Sequence, residues 1–310
     1  MKILVTGCCG FIGSHTTEKL LMNDNDVYGI DNMNNYYDSK IKYNNLNILN
    51  KYTKFKFKED DICTTNIISE FKPEVIVHLA SMAGVRYSIE NPKEYIRVNI
   101  EGFIHILEEC KKNNINKIVY ASSSSVYGLN EKVPFCENDN IKLCNSPYAC
   151  SKLSMEIFAK TYFQLFGINS IGLRFFTVYG PRGRPDMAPY KFLNSIINNE
   201  EITKYGNGKS YRDYTYIDDI VNGIIGSINN IDRIKFNIYN LGNSEPVTLN
   251  EFIDICSKVV GKNPKIKILE DQKGDVPYTF ANIEKAKLDL NYNPKIKLET
   301  GLRMMYESMV

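Results

Sequence analysis

No stretch of this sequence reaches the roughly 18 to 20 consecutive apolar residues that a membrane-spanning helix needs, so no transmembrane span and no membrane partner are expected. The N-terminus lacks the pattern of a secretory leader: Met1-Lys2-Ile3-Leu4-Val5-Thr6 runs straight into a glycine-rich turn, without an apolar stretch or cleavage site. Neither sign of charge dominates. Thirty-eight Lys and Arg against 36 Asp and Glu leave a net charge of +2, and there is no basic stripe of the kind that marks a nucleic-acid binder. Small anionic substrates stay open, because a local site can be positive within a balanced whole. Histidine is scarce, with three residues at 15, 78 and 105, and the eight cysteines include no C-x-x-C pair. A metal site is therefore not expected. Cysteines without regular spacing, two of them neighbours at Cys8 and Cys9, read as reduced thiols in a cytoplasmic protein.

What is present suffices for a large core. The 310 residues are 43% hydrophobic and 24% charged, ordinary for a globular chain of one or two domains. Short β-branched runs alternate with helical periodicity through the first half. Strands are expected at residues 2–6, 26–30, 55–57, 75–79, 117–122 and 170–174, and helices at 12–22, 39–50, 66–71, 92–113 and 147–166. That order predicts an α/β fold, a Rossmann-type doubly wound parallel sheet with a smaller C-terminal α/β substrate domain. After about residue 175 the pattern loosens into the loop chemistry of Gly180-Pro181-Arg182-Gly183-Arg184-Pro185, then shorter helices and a strand-like segment at 236–241. The expected division is 1–175 and 176–310, with parts of 213–245 returning to the first domain. Asparagine crowds residues 32–50, but interleaved Tyr, Ile and Leu make that stretch an ordered loop and helix.

The first strand leads into Gly7-Cys8-Cys9-Gly10-Phe11-Ile12-Gly13, a G-x-x-G-x-x-G. Glycines there permit a tight turn and close backbone approach to a pyrophosphate, which then sits on a helix N-terminus. A glycine pattern alone is weak. This one follows a strand, opens a helix and is answered by Asp31 at the end of the next strand, about 20 residues on, where a carboxylate binds the adenosine ribose 2′-OH. No Arg or Lys immediately follows Asp31 to accept a 2′-phosphate, so NAD is expected rather than NADP. Asp61 and Ile62, after the third strand, would bracket the adenine. Asn32, Leu79 and Ala80 complete the candidate cofactor contacts at strand ends.

Tyr148-Ala149-Cys150-Ser151-Lys152 sets a phenol and an ammonium at i and i+4, on one face of a helix. Free tyrosine titrates near 10 and is a poor base at neutral pH. A nearby Lys⁺ and the positive nicotinamide of NAD would favour the phenolate, which then takes a hydroxyl proton as hydride leaves the same carbon. A Tyr-Lys pair at this spacing also arises by chance, as a packed Tyr above a solvated Lys. Its place after the polar run Ala121-Ser122-Ser123-Ser124-Ser125, where sheet ligands bind, counts against that reading.

Longer segments resemble the extended short-chain dehydrogenase/reductase family over essentially the whole chain, and within it the UDP-glucuronate 4-epimerases. They are Ala83-Gly84-Val85-Arg86-Tyr87-Ser88, Ser122 to Asn130, Arg174 to Pro181, Gly183 to Ala188 and Arg212 to Asp219. The resemblance implies that Ser123, Tyr148 and Lys152 form the catalytic triad, with Lys152 also holding the nicotinamide ribose. It implies that Asn99 lies near the cofactor and the active-site helix, and that Ser124, Ser125 and Thr177 line the sugar C5/C6 side. Arg212 would meet the diphosphate and Asp275 the nucleotide ribose, with Arg86 and Arg184 as further substrate contacts. Relatives are often homodimers paired through the helices at 92–113 and 147–166, where Phe103, Ile106 and Phe163 serve either the seam or the core. Ser81-Met82 and the Cys8-Cys9 pair depart from the small residues usual at those places. His78 reads as capping or packing the fourth strand rather than as a base.

Several reactions of this family begin by oxidising C4 of the sugar. Dehydratases carry an Asp-Glu pair where this chain has Ser124 and Ser125, which cannot do that acid/base work. Loss of CO₂ from the 4-keto acid requires the carboxylate bond to align with the carbonyl π system. Short hydroxyls that pin the carboxylate favour epimerisation instead. The expectation is NAD-dependent 4-epimerisation of UDP-glucuronate to UDP-galacturonate. The alternatives are a UDP-glucose/UDP-galactose 4-epimerase, a UDP-glucuronate decarboxylase and, last, a non-catalytic NAD-binding sensor.

Overall fold

A computed structural model of the chain describes residues 1–270 and 278–310. Strands β1 (Lys2–Thr6), β2 (Asp26–Asp31), β3 (Phe55–Glu59), β4 (Val75–His78), β5 (Lys117–Ser123) and β6 (Asn169–Phe175) join the strand Phe236–Leu241 in one seven-stranded sheet. Every pairing is parallel, and the order is Phe236–Leu241, β6, β5, β4, β1, β2, β3. Parallel strands covered on both faces must be apolar on both sides, which is why β1 and β4 read as continuous runs rather than alternating ones. Alternate residues serve opposite cores: Ile3 and Val5 face one, while Leu4, Ile76 and Ile118 face the other. The winding reverses between β1 and β4, and a doubly wound sheet offers its ligand crevice beyond the strand ends at that reversal.

Local signals place the helices. Gly10 precedes the helix Phe11–Met22 without a side-chain cap, so the first-turn N–H groups stay open. Ser146 accepts the Ala149 N–H, Pro147 takes the first helical position, and left-handed Gly167 stops the helix Pro147–Phe166. The helix expected over 92–113 is three pieces: α-helical Pro92–Tyr95, a π-helical Ile96–Glu101 and α-helical Gly102–Lys112. Asn99 in the π segment hydrogen-bonds the backbone of Met82, a tertiary demand that periodicity does not reveal. A short helix, Val85–Glu90, also went unread in the sequence.

Beyond β6 the chain forms small accessory pairings. Tyr214–Tyr216 lies parallel to Thr177–Tyr179, and Lys265–Leu269 lies parallel to Glu201–Tyr205. The helix Ile217–Ile234 packs on Phe11–Met22 before the chain rejoins the main sheet at Phe236–Leu241. Phe103 and Ile106 are wholly buried core residues rather than seam residues, and Phe163 stacks on Phe236 at 5.5 Å. His78 is buried against Thr6, its Nδ1 3.0 Å from the threonine hydroxyl, at the end of β4.

Candidate active site

The strand ends around the reversal enclose a cavity of about 360 Å³. Its floor starts at the glycine loop. Gly7 adopts φ 71°, and a Cβ there would lie 2.7 Å from the Ala80 amide nitrogen. A Cβ on Gly13 would lie 2.0 Å from the Gly7 carbonyl oxygen. The loop is therefore a bare backbone cradle ahead of an uncapped helix N-terminus, a surface suited to a pyrophosphate. Asp31 is buried beside it and accepts the N–H groups of Cys9 (3.2 Å) and Met33 (3.0 Å). Asn45 donates to the Cys9 carbonyl at 2.9 Å and fixes the loop from behind. Cradle and carboxylate fit a dinucleotide.

Of the expected cofactor contacts, Gly7, Gly10, Phe11, Ile12, Gly13, Asp31, Asn32, Ile62, Leu79 and Ala80 line the cavity. Asp61 and Asn99 do not line it: Asn99 is wholly buried behind the wall, and Asp61 is partly exposed beside it. The Asp61 carboxylate takes the Arg97 guanidinium at 3.0 Å and the Cys63 N–H at 2.9 Å. Asn99 bridges Met82 to the Ser151 hydroxyl of the Pro147–Phe166 helix, at 2.9 Å each way.

Ser123, Tyr148 and Lys152 share the same cavity. Ser123, at the end of β5, accepts the Ser125 N–H at 3.1 Å and hydrogen-bonds the Tyr148 phenol. Burial pushes that phenol above its usual range, while Ser123 and the Arg184 charge pull it back. Lys152 turns its ammonium to the Ala121 carbonyl and donates to it at 2.7 Å. Burial drives Lys152 itself down to about 7, with the Glu156 carboxylate resisting. Glu156 lies one turn further along the helix and is held by Arg174 (2.7 and 2.9 Å) and the Ser122 hydroxyl (2.6 Å).

Ser124, Ser125, Thr177 and Arg184 also line the cavity. The Arg184 guanidinium is gripped by Asp186, which in turn accepts the Tyr36 hydroxyl at 3.2 Å. Arg86 lies off the wall, over the Tyr205 ring at 5.4 Å. Arg212 is also off it and donates to the Tyr211 carbonyl at 2.8 Å. Asp275 falls outside the described residues. Sequence reading missed Lys42, Tyr36 and Tyr37, which also line the wall, and Asp186 behind it. The one available signal for Lys42 was its place on the inward stripe Lys42, Asn45 and Leu49 of the helix Ser39–Leu49, an odd site for a lysine. Among the described residues no group of three or more His, Cys, Asp or Glu is arranged to hold a metal ion, and no helix is long and apolar enough to cross a membrane.

A family profile described as GDP-mannose 4,6 dehydratase matches residues 4–305. The chain belongs to this family of extended short-chain dehydrogenases/reductases. A UDP-glucuronate 4-epimerase from Thermodesulfobacterium geofontis is 41% identical over 305 residues, covering 97% of this chain and 93% of that one. The solved UDP-glucuronic acid 4-epimerase of Bacillus cereus, in complex with UDP-glucuronic acid and NAD, superposes with a TM-score of 0.95 at 35% identity. That match covers 100% of this chain and 99% of the other. The UDP-glucose 4-epimerase of Thermotoga maritima with UDP-glucose gives 0.89 at 30% identity, over 100% and 98%. The family's name speaks of dehydration, but the two residues after Ser123 here are hydroxyls that cannot carry protons to and fro as carboxylates do.

Proposed function

We propose that this chain is an NAD-dependent UDP-glucuronate 4-epimerase, an isomerase that interconverts UDP-glucuronate and UDP-galacturonate through a 4-keto sugar. One observation carries the reading: a single cavity joins the glycine cradle and Asp31 to Ser123, Tyr148 and Lys152, and both to a wall of hydroxyls and one guanidinium. When bound, NAD supplies the hydride acceptor for C4 and later the hydride donor. Tyr148 takes the C4 hydroxyl proton and returns it, Ser123 hydrogen-bonds the same oxygen, and the Lys152 charge favours the phenolate. The 4-keto sugar turns over between the two transfers, so proton and hydride both come back and nothing is consumed. Ser124, Ser125, Thr177 and Arg184 hold the C5 carboxylate out of line with the C4 carbonyl, which suppresses loss of CO₂.

In this proposal Asp61 and Ile62 bracket the adenine, and Asn99 acts from behind the wall. Arg212 meets the substrate's diphosphate and Asp275 its nucleotide ribose, with Arg86 a further substrate contact. Residues 1–175 carry the cofactor and 176–310 mainly the UDP-sugar. The protein is taken to be a cytoplasmic homodimer. Eight free thiols suit a reducing compartment, and Ile96, Ile157, Leu165 and Phe166 are exposed on the helices through which the dimer is expected to pair. Light scattering that finds a monomer at micromolar concentration would dismiss the dimer.

One observation favours the neutral-sugar alternative. Arg184 is already paired with Asp186, so its charge is partly spent before a carboxylate arrives. Proton NMR of the protein with UDP-glucuronate, and with UDP-glucose in parallel, separates the readings. Growth of UDP-galacturonate signals supports the proposal, whereas equal or greater turnover of UDP-glucose or a pentose product overturns it.

A further inference from the structure

The turn from Gly180 to Gly183 sets a charged residue where glycine is usual. The Gly183 N–H donates to the Gly180 carbonyl at 3.1 Å, Pro181 holds the second position, and Arg182 takes the third with φ 61°. That is the pattern of a type II turn, whose third position needs a left-handed backbone and ordinarily carries glycine. Such a conformation persists only where the surroundings fix it. Here the side chain does so, by lying on the helix Phe11–Met22. Arg182 Nη2 reaches Glu18 Oε2 at 2.6 Å and His15 Nδ1 at 2.8 Å. With its proton on Nε2, His15 donates in turn to the Pro181 carbonyl at 2.9 Å. Burial and the Arg182 charge hold His15 down to about 3, so the ring is neutral and Glu18 carries the counter-charge.

Phe11, His15 and Glu18 stand at i, i+4 and i+7, on one face of the helix that the glycine cradle opens. The Phe11 ring meets that of His15 edge-on at 5.8 Å and itself lines the cavity. Beyond Arg182 the same loop delivers Arg184 and Met187 to that cavity. We infer that Arg182 is a positioning residue that hangs the sugar-holding loop on the dinucleotide helix, so that NAD and the UDP-sugar bind cooperatively; this rests on the NAD and UDP-sugar reading of the cavity. A first helical turn ordered by the dinucleotide fixes Phe11 and His15, these seat Arg182, and the seated turn presents Arg184. Coupling of this kind is reciprocal, so each ligand tightens the other by the same factor.

The test is titration calorimetry with UDP-glucuronate and with UDP on protein saturated with NAD. Every protein carries Tyr148→Phe, so that the sugar is not converted during the titration. Arg182→Gly suits the turn and removes the clamp, which separates positioning from folding. It is expected to weaken UDP-glucuronate about tenfold and UDP by less than about twofold. Glu18→Gln should give a smaller loss of the same kind, and adding it to Arg182→Gly should cost nothing further. NAD titrated into protein stripped of nucleotide should bind about tenfold tighter with UDP-glucuronate present, and Arg182→Gly should lose that gain. Unchanged UDP-glucuronate affinity in Arg182→Gly overturns the inference, as does an equal loss for UDP. So does a gain in NAD affinity that survives the substitution. A parent protein that binds neither NAD nor UDP-glucuronate overturns the reading of the cavity beneath it.

Discussion

Two buried lysines share one cavity and are held in opposite ways. Lys42 is paired with a carboxylate at the end of β2, whereas Lys152 leans on the Ala121 carbonyl of β5, with its nearest carboxylate, Glu156, already bound to Arg174. The sheet order β2, β1, β4, β5 sets the two strand ends three spacings apart, about 14 Å. A charge with a dedicated counter-ion is fixed and suited to recognition. A charge without one is costly to keep, and burial holds Lys152 near about 7. The difference teaches that the partner, not the residue type, decides whether a buried lysine recognises or reacts.

The sharpest way to break the comparison is at the reacting end. Tyr148→Phe is expected to lower turnover by about 10²- to 10⁴-fold while nucleotide released from denatured protein stays at wild-type level. Undiminished turnover would remove Tyr148 from the mechanism. Lys152→Met and Lys42→Met then separate the two lysines. The first should reduce kcat by about 10²-fold or more, and the second should change nucleotide affinity and leave kcat at saturating NAD within about twofold. A matched loss of kcat in both would show that the two charges do the same work.

Glu156→Gln strips the partner from Arg174 and should cost about 3–5 kcal/mol in denaturant unfolding, because a buried charge is left uncompensated. It also removes the group that raises Lys152, so the alkaline limb of kcat/KM should move to lower pH. An unmoved limb would mean that Lys152 does not govern it. The smallest effect concerns His78, which burial and the Lys152 charge hold down to about 3. The folded chain keeps this imidazole neutral while the unfolded chain protonates it below about 6.5. Its contribution is full above that value and is lost as pH falls toward about 3, with a loss of about 2–3 kcal/mol by pH 4.5. His78→Gln should flatten the decline of Tm between pH 7 and pH 4.5, and an equal slope would discount the histidine.

Much of the fold was legible because parallel strands and capped helices write themselves locally. The run Ile3-Leu4-Val5, the helix at 147–166 and the strand at 236–241 all stand where the periodicity put them. The glycine cradle was legible because it joins a strand to a helix, and Tyr148 with Lys152 because they share one helix face, whereas Ser123 was named through the family resemblance. What stayed hidden depends on distant contacts. No sequence motif singles out Lys42, and absence of a base directly after Asp31 says nothing about a helix that folds back over it. Asp61 and Asn99 are engaged away from the cavity, by bonds to Arg97 and to Met82 and Ser151 respectively. Arg86 and Arg212 point at neighbouring tyrosines, an outcome that no spacing rule contains.

The π turn at Ile96–Glu101 has a consequence for how the chain tolerates changes in length. A π turn holds one residue more than α winding would use. Tyr95 and Phe103, both wholly buried, lie on either side of it. Loss of one codon between them would put these two rings seven positions apart, two turns of ordinary α-helix, so both anchors keep their face of the core. The Asn99 amide would swing off Met82 and Ser151 in the same event. A single in-frame deletion can thus disengage the loop from the active-site helix and spare the scaffold, a separation that side-chain replacement does not offer.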